Sequence, residues 1–531
     1  MASRSVSVHQ KLLRTLPFFS RRLKSTASPS TSSGAPNLNF PEKPDPEPKK
    51  PDTPKKPSTP KEPPFNLDDY KELFSSVSTR KLIRSTVTLH LAAMEGMVDL
   101  GSTVMNSRLM KSSIPRKMVL ESIERTFYDH FCGGKTLGEA DKTVKKLWDS
   151  GLRAMLDYGL ENALDNAACD RNLDEFILTI DSTKLFATSP VSFIVVKVTA
   201  ICPPGLLRRV SALLRWEYKD NSLHLPWKLK SFPIFVDSSP LYHTLEKPEP
   251  LTPDEERDLE LAYNRLIKIC ERSKQANVPL LIDAEDTLIQ PAIDYFTYSA
   301  AIKYHRDDSP LIFNTIQAYL KDARERLVIA KKAADEMGVP IGFKLVRGAY
   351  MSSEKRFALS LGVNSPIHDS IEDTHACYDD CAAFMLEEIA KGSGSVVLAT
   401  HNLESVHKIE WRILSSRRLN RWFWIRQRFF DFATKDVRLT TRKFAAAKAV
   451  DLGIKKENQN LQFAQLYGMA EALSFGLRNA GFKVSKYLPF GPVEQVMPYL
   501  LRRAEENKGL LSTSSLDREL MRKELMRRFR P

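Results

Sequence analysis

The sequence predicts an α/β protein: a (β/α)8 TIM-type barrel over residues 151–510, preceded by a helical arm and a disordered N-terminal region. Three observations carry this. Beyond residue 150, eight apolar strand-like runs alternate with helical periodicities. Polar residues stand at the C-terminal ends of seven of these eight runs, the end at which such a barrel gathers its chemistry. No G-x-G-x-x-G follows the first run, so the competing doubly wound sheet lacks one of its usual marks.

A chain of 531 residues that is 42% hydrophobic can bury a large core and form two to four domains. Its first segment, "MASRSVSVHQKLLRTLPFFSRRLKSTASPSTSSG", has six Lys/Arg, many Ser and no acid before Glu42. Leu12, Leu13, Leu16 and Phe19 can share one face of a basic helix, which is the profile of an organellar transit peptide over 1–26. A disordered basic tail is the plainer alternative, and no 7–15-residue apolar core marks a secretory signal. Residues 27–64 are Pro, Lys, Ser and Thr with almost nothing to bury, a stiff and disordered linker. Residues 65–150 read as the helical arm, as in "DDYKELFSSVSTRKLIRSTVTLHLAAMEGMVDLG".

The eight strand-like runs are 152–161, 193–201, 279–286, 311–319, 341–350, 395–402, 461–469 and 484–491. Their polar, mouth-facing candidates are Lys197, Asp283 with Glu285, Gln317, Lys344, Arg347, Thr400 with His401, Gln465 and Tyr487. In "FKLVRGAYMSSE", alternation sets Phe343 and Leu345 on one face and Lys344 and Val346 on the other. A lysine flanked so closely by apolar residues requires an anionic or strongly polar partner. Past the last strand, "YLLRRAEEN" places Arg502 and Arg503 side by side with Glu506 one turn on. Adjacent helical residues diverge by only ~100°, so both guanidinium groups can clamp one carboxylate, unless they simply form a solvated charged face.

The net charge of +14 sits in two places: residues 1–64 contribute +7 and residues 406–442 another +7, which leaves the rest neutral. A nucleic-acid-binding surface on the folded body is therefore not expected. No run reaches the ~18 apolar residues of a membrane-spanning helix. The six cysteines have no framework spacing; Cys377 and Cys381, four apart on a predicted helix, are expected as free thiols, with no metal site.

Several stretches resemble the mitochondrial proline dehydrogenase (proline oxidase) family, and most of all its plant-type members. They are "LLIDAEDTLIQPAIDYF", "NTIQAYLKDARERL", "FKLVRGAYMSSEKRFA", "VVLATHN", "FAQLYGMAEALSFGL" and "KYLPFGPVEQVMPYLLRRAEEN", with weaker likeness in "FYDHFCGGKTLGEA" and "VVKVTAICPP". The likeness runs collinearly from about 125 to 510. It implies a distorted (β/α)8 barrel, a mitochondrial address for residues 1–26, and an FAD enzyme. That enzyme would oxidise L-proline to Δ1-pyrroline-5-carboxylate and pass electrons to a ubiquinone-type acceptor, in peripheral contact with the inner membrane on the matrix side.

By the same resemblance Asp283, Ala284, Gln317, Lys344, Arg347, Gly348, Ala349, Thr400 and His401 are flavin contacts, with Glu506 a buttress. Lys197, Tyr350, Leu466, Tyr487, Arg502 and Arg503 form the proline pocket. Asp283 and Lys344 are the catalytic candidates, and Lys344 stands where bacterial relatives usually carry Arg. Glu139, in "GGKTLGEA", is the expected gate, pairing with one of the two arginines. The proline nitrogen must lose its extra proton before hydride can leave, and the sequence does not name the base; Asp283, Glu285 and solvent are all open.

Two segments depart from or extend the pattern. Family members run from "THN" through a short loop into a helix resembling "KFAAAKAVDLGI", but here residues 406–442 intervene, with three of the six Trp and eight Arg. This insertion is either a basic-aromatic surface for anionic lipid or a stretch without a selected role. The tail, 511–531, aligns Leu516, Leu520, Leu525 and Phe529, to dock on the body or lie on a membrane. Competing functions are another flavin-dependent barrel reductase, such as a methylenetetrahydrofolate reductase, and an inactive barrel disrupted by 406–442.

Overall fold

A computed structural model of the chain describes residues 67, 69–94, 103, 104, 107, 111–186, 188–305, 309–406, 458–509 and 511–530, the side chains of 504–514 excepted. The predicted transit peptide, the linker to residue 64 and the insertion beyond Val406 lie outside the described residues.

The arm contains α1 (Thr79–Ala92), α2 (Ser113–Ile123) and α3 (Leu137–Asp149). Polar N-caps start two of them: Ser78 accepts from Lys81 N–H and Thr136 from Glu139 N–H. The barrel follows as β1 (Arg153–Tyr158), α4 (Asn166–Ser182), β2 (Val191–Val196), α5 (Pro204–Lys219), α6 (Pro253–Ala276), β3 (Leu280–Ile282) and α7 (Gln290–Lys303). It continues with β4 (Ile312–Gln317), α8 (Ala323–Glu336), β5 (Gly342–Val346), α9 (Met351–Ser360), α10 (Ile371–Ala390) and β6 (Ser395–Ala399). Beyond the undescribed stretch come β7 (Leu461–Leu466), α11 (Glu471–Asn479), β8 (Val484–Phe490), α12 (Val493–Gly509) and the tail helix α13 (Leu511–Phe529).

All eight predicted strands exist, every neighbouring pair is parallel, and β8 closes on β1. The strands are shorter than the apolar runs. The run 193–201 ends in a 3-10 turn at Val198–Ala200, and only Leu280–Ile282 of the run 279–286 is strand. The remainder of each run turns over the barrel mouth and carries the polar residues there.

Alternation decides what faces inward. Met155, Phe193, Val195, Leu281, Phe313, Val397 and Ala464 form a closed apolar cluster inside the barrel. The Phe193 and Phe313 rings meet edge to face with centroids 4.7 Å apart. A Cβ on Gly342 would lie 2.2 Å from the Phe313 ring, so only glycine lets that ring plug the interior. The same parity corrects one expectation. Gln465 shares the face of Phe463 and points outward, where Ser474 of α11 donates to its Oε1 at 3.0 Å.

The arm and tail close around one side of this barrel. Gly133 N–H donates to Pro489 O at 2.7 Å, Gly491 N–H to Gly134 O at 3.0 Å, and Tyr128 Oη to Gly491 O at 2.6 Å. These bonds fasten the stretch before α3 across the C-terminal end of β8. The tail helix docks on the body: Leu520 and Met521 are buried, and Arg528 donates to Phe74 O, Val77 O and Thr79 Oγ1.

Candidate active site

Directly above the apolar plug lies a layer of charge. Asp283, two residues past Leu281 on the inward parity, accepts from Lys344 Nζ at 2.5 Å and from Tyr487 Oη at 2.7 Å, and Lys197 Nζ lies 3.3 Å from it. Lys197 also donates to both oxygens of Asp157, at 2.9 and 3.0 Å, and to Tyr487 Oη at 3.0 Å. Three strands deliver side chains to this network, β1, β5 and β8, with Lys197 from just after β2 and Asp283 from the turn after β3. All are buried or nearly so.

The electrostatics follow from this geometry. Burial alone would raise the Asp283 carboxyl, but the Lys344 and Lys197 ammonium groups bring it down to about 2. Burial opposes the charge on Lys197, yet Asp157 and Asp283 hold it above the ordinary lysine range. The Tyr487 phenol is pushed well up by burial and then by the two aspartates. The network therefore joins two lysines to two aspartates around a phenol that stays protonated, and burial raises Asp157 against the charge of Lys197.

A second cluster sits above it. Arg502 binds Glu161 bidentately at 2.9 and 3.0 Å and lies 5.7 Å over the Tyr350 ring. Burial would raise the Glu161 carboxyl; the Arg502 hydrogen bonds and charge, then the charge of Lys197, lower it. Arg503 is buried over the Tyr499 ring at 5.0 Å, and that ring stacks on Tyr487 at 6.3 Å. Leu466, half-buried, ends β7 in register with Tyr487 in the middle of β8. Glu285 is buried with Thr199 Oγ1 donating to it at 2.8 Å, and burial pushes it up to about 7, aided by the charge of Glu161.

On the β4–β6 side the donors differ. Arg347 spreads its guanidinium over Thr400 Oγ1 (2.8 Å), Ser405 Oγ (2.8 Å) and His375 Nδ1 (2.9 Å), and lies 4.4 Å from the Tyr378 ring centroid. Gly348, at φ +132°, takes a backbone turn that disfavours any side chain; a Cβ there would also lie 2.4 Å from the Tyr319 ring. Ala284 and Ala349 are half-buried beside these turns. Gln317 donates to Glu285 O at 2.8 Å. His401 accepts from Leu466 N–H at 3.1 Å, and burial, then the Lys486, Arg503 and Arg347 charges, lower it to about 3, so its ring is neutral. A lysine, an arginine, an amide, a hydroxyl and a neutral imidazole at adjacent strand ends fit a large cofactor rich in acceptors and negative charge.

One predicted contact is not made. Glu139 turns back on its own helix and accepts from Lys135 N–H at 2.7 Å, while the carboxylate on Arg502 is Glu161. The side chain of Glu506 lies outside the described residues. Sequence reasoning passed over Asp157, Glu161, His375 and Ser405. Asp157 was legible as the residue after Met155 on the inward parity of β1. Reading the strand through to 161 hid Glu161, which belongs to the turn that follows.

A family model described as "Proline dehydrogenase" matches residues 140–427 and 424–515, two pieces that meet inside the predicted insertion. "Proline dehydrogenase 1, mitochondrial" of Arabidopsis thaliana is 53% identical over 467 residues, covering 87% of this chain and 86% of that protein. "Proline dehydrogenase 2, mitochondrial" of the same plant is 52% identical over 466 residues, covering 87% and 90%. Among solved structures, proline utilization A from Bdellovibrio bacteriovorus, inactivated by N-propargylglycine, superposes with a TM-score of 0.54 at 18% identity. It covers 88% of this chain and 41% of its own, a likeness of fold. With a family model laid over most of its length and plant relatives sharing half its residues, the chain belongs to the proline dehydrogenase family.

Proposed function

We propose that the chain oxidises L-proline to Δ1-pyrroline-5-carboxylate in the mitochondrion, with FAD as cofactor and a ubiquinone-type electron acceptor. One observation supports this above the others. Arg502, over the Tyr350 ring, already binds both oxygens of a carboxylate, that of Glu161, which also feels the charge of Lys197. A substrate carboxylate offers the same planar group, so the pocket is built for one. In this reading Glu161 yields Arg502 to proline, and Lys197 and Arg503 complete the positive field. Tyr350, Leu466 and Tyr487 wall the compact ring and exclude water.

When bound, FAD would supply the hydride acceptor for C5 of proline and the electron path to the quinone. Asp283, Ala284, Gln317, Lys344, Arg347, Gly348, Ala349, Thr400, His401 and Glu506 are the residues proposed to hold it. Lys344 supplies positive charge on that side, and Asp283 fixes both Lys344 and Lys197 so that neither reorients during reaction. Orientation of the substrate supplies much of the rate. Residues 1–26 are proposed as the mitochondrial address, and contact with the inner membrane as peripheral. A spectroscopic experiment decides the matter: the purified protein is yellow, L-proline bleaches it, and a soluble quinone restores the colour. A colourless protein, or bleaching by NAD(P)H and not by proline, overturns the reading.

A further inference from the structure

Hydride can leave C5 only when the ring nitrogen has a lone pair to form the new C=N bond, and dissolved proline at neutral pH is an ammonium. Something must take that proton. Four described carboxylates approach the pocket, and three are committed to cations. Asp157 is bound to Lys197, Asp283 to Lys344 and Lys197, and Glu161 to Arg502. Against burial, lysine and arginine charges hold Asp283 and Glu161 below the ordinary range, while Asp157, raised by burial, has both oxygens taken by Lys197 Nζ.

Glu285 is different. It is 4% exposed, its Oε1 accepts only a neutral hydroxyl, that of Thr199, and among the described residues no ion pair includes it. Its backbone is fixed on both sides, with its N–H donating to Gln290 Oε1 at 2.8 Å and its C=O accepting from Gln317. The charged and titratable groups that face it are Glu161 after β1, Lys197 at the end of β2, the neighbouring Asp286, and Tyr350 after β5. Three of these, Glu161, Lys197 and Tyr350, belong to the pocket proposed for proline.

We infer that Glu285 is the proton acceptor for the ammonium of bound proline, an inference that rests on the proposed proline-oxidising function. The N–H bond breaks, its electron pair stays on nitrogen, and an O–H bond forms on the Glu285 carboxylate. The C5–H bond would then break with its electron pair passing as hydride to the flavin of the proposed function, and the nitrogen lone pair closes the C=N bond as the iminium. The environment favours such a role, since burial, with the charge of Glu161, sets this carboxyl at about 7, near the pH at which it must work.

The experiment measures the rate of flavin bleaching by L-proline against pH, anaerobically, for the wild-type holoenzyme and for Glu285→Gln of equal flavin content. Wild type is expected to speed up as pH rises through the region of 7 and then level off. Glu285→Gln loses that limb, runs on the order of 100-fold slower at neutral pH, and approaches wild type at alkaline pH where dissolved proline is already deprotonated. Glu285→Asp, should the Gln variant lose flavin, keeps the limb at a reduced rate. An unchanged limb in Glu285→Gln, or a uniform loss at every pH, overturns the inference while leaving the enzyme a proline dehydrogenase. Failure of proline to bleach the wild type at any pH overturns both.

Discussion

Lys344 poses a problem that its own strand cannot solve, since a buried ammonium between Phe343 and Leu345 needs a counter-charge from elsewhere in the chain. Asp283 supplies it at 2.5 Å and shares itself with Lys197. Removing the carboxylate strands buried Lys344 and leaves Lys197 with Asp157 alone, so Asp283→Ala should lower unfolding free energy by about 3–5 kcal/mol in chemical denaturation, with Asp283→Asn milder because it keeps hydrogen bonds. Because folding lowers this carboxyl to about 2, its contribution is present above the unfolded value of ~3.9 and is lost as pH falls toward 2. Arg502 makes a different kind of claim. Arg502→Ala removes two charge-assisted bonds, so KM for L-proline should rise on the order of 100-fold, about 3 kcal/mol, with kcat falling less. Arg502→Lys keeps the charge without the fork and should lie between. A KM unchanged in steady-state kinetics would remove Arg502 from the carboxylate site. Most of these residues were legible singly in the sequence, as polar positions at strand ends. Which anion meets which cation was not, because Asp157 comes from β1, Glu161 from the turn after it and Asp283 from the turn after β3, and their pairing is set by the closed sheet.

Strand parity is a local property that places Lys344 and Asp283 inside with no knowledge of the fold, and applied to β1 it would have placed Asp157 there too. It also exposes the error over Gln465, which sits on the outward face of β7 beside Ser474. Contacts between remote helices are another matter. α11 begins at Ala470, which adopts φ +49° and brings no side-chain cap. Its first N–H groups are met instead by Asp517 of α13, which accepts from Glu471 N–H at 2.9 Å and Ala472 N–H at 3.0 Å. An amphipathic stripe in α13 could not reveal this, since the partner lies some distance away in sequence and the bond is made by a polar residue. Capping across space should be worth what a local cap is worth. Asp517→Ala is expected to cost about 1–2 kcal/mol by thermal or chemical unfolding, and Asp517→Asn little. Equal stability of Asp517→Ala and wild type would mean that the tail rests on the body without supporting it.

Closing a barrel requires β6 and β7 to lie side by side whatever joins them, and they pair from Val396 with Leu461 to Ala399 with Ala464. The connection includes 407–442, which brings ten of the chain's 79 Lys and Arg against three of its 65 acids. Thr400 and His401 are the mouth residues nearest in sequence to this connection. Both are in place: Thr400 takes the Arg347 bond at 2.8 Å, and His401 takes Leu466 N–H at 3.1 Å. The inactive-barrel alternative is not favoured by the family match, which covers the barrel on both sides of the insertion. Shortening the connection changes its closure entropy by about 1 kcal/mol in favour of folding, too little to alter the fold. A chain lacking 407–442 should accordingly bind the same flavin per mole of protein as the full-length chain and bleach with L-proline at a rate within about twofold, measured side by side. If the segment meets anionic lipid, the shortened chain also loses sedimentation with phosphatidylserine-containing vesicles at low salt, because each Lys or Arg near such a surface is worth about 1 kcal/mol. Higher flavin content in the shortened chain would mean that the insertion obstructs the mouth after all.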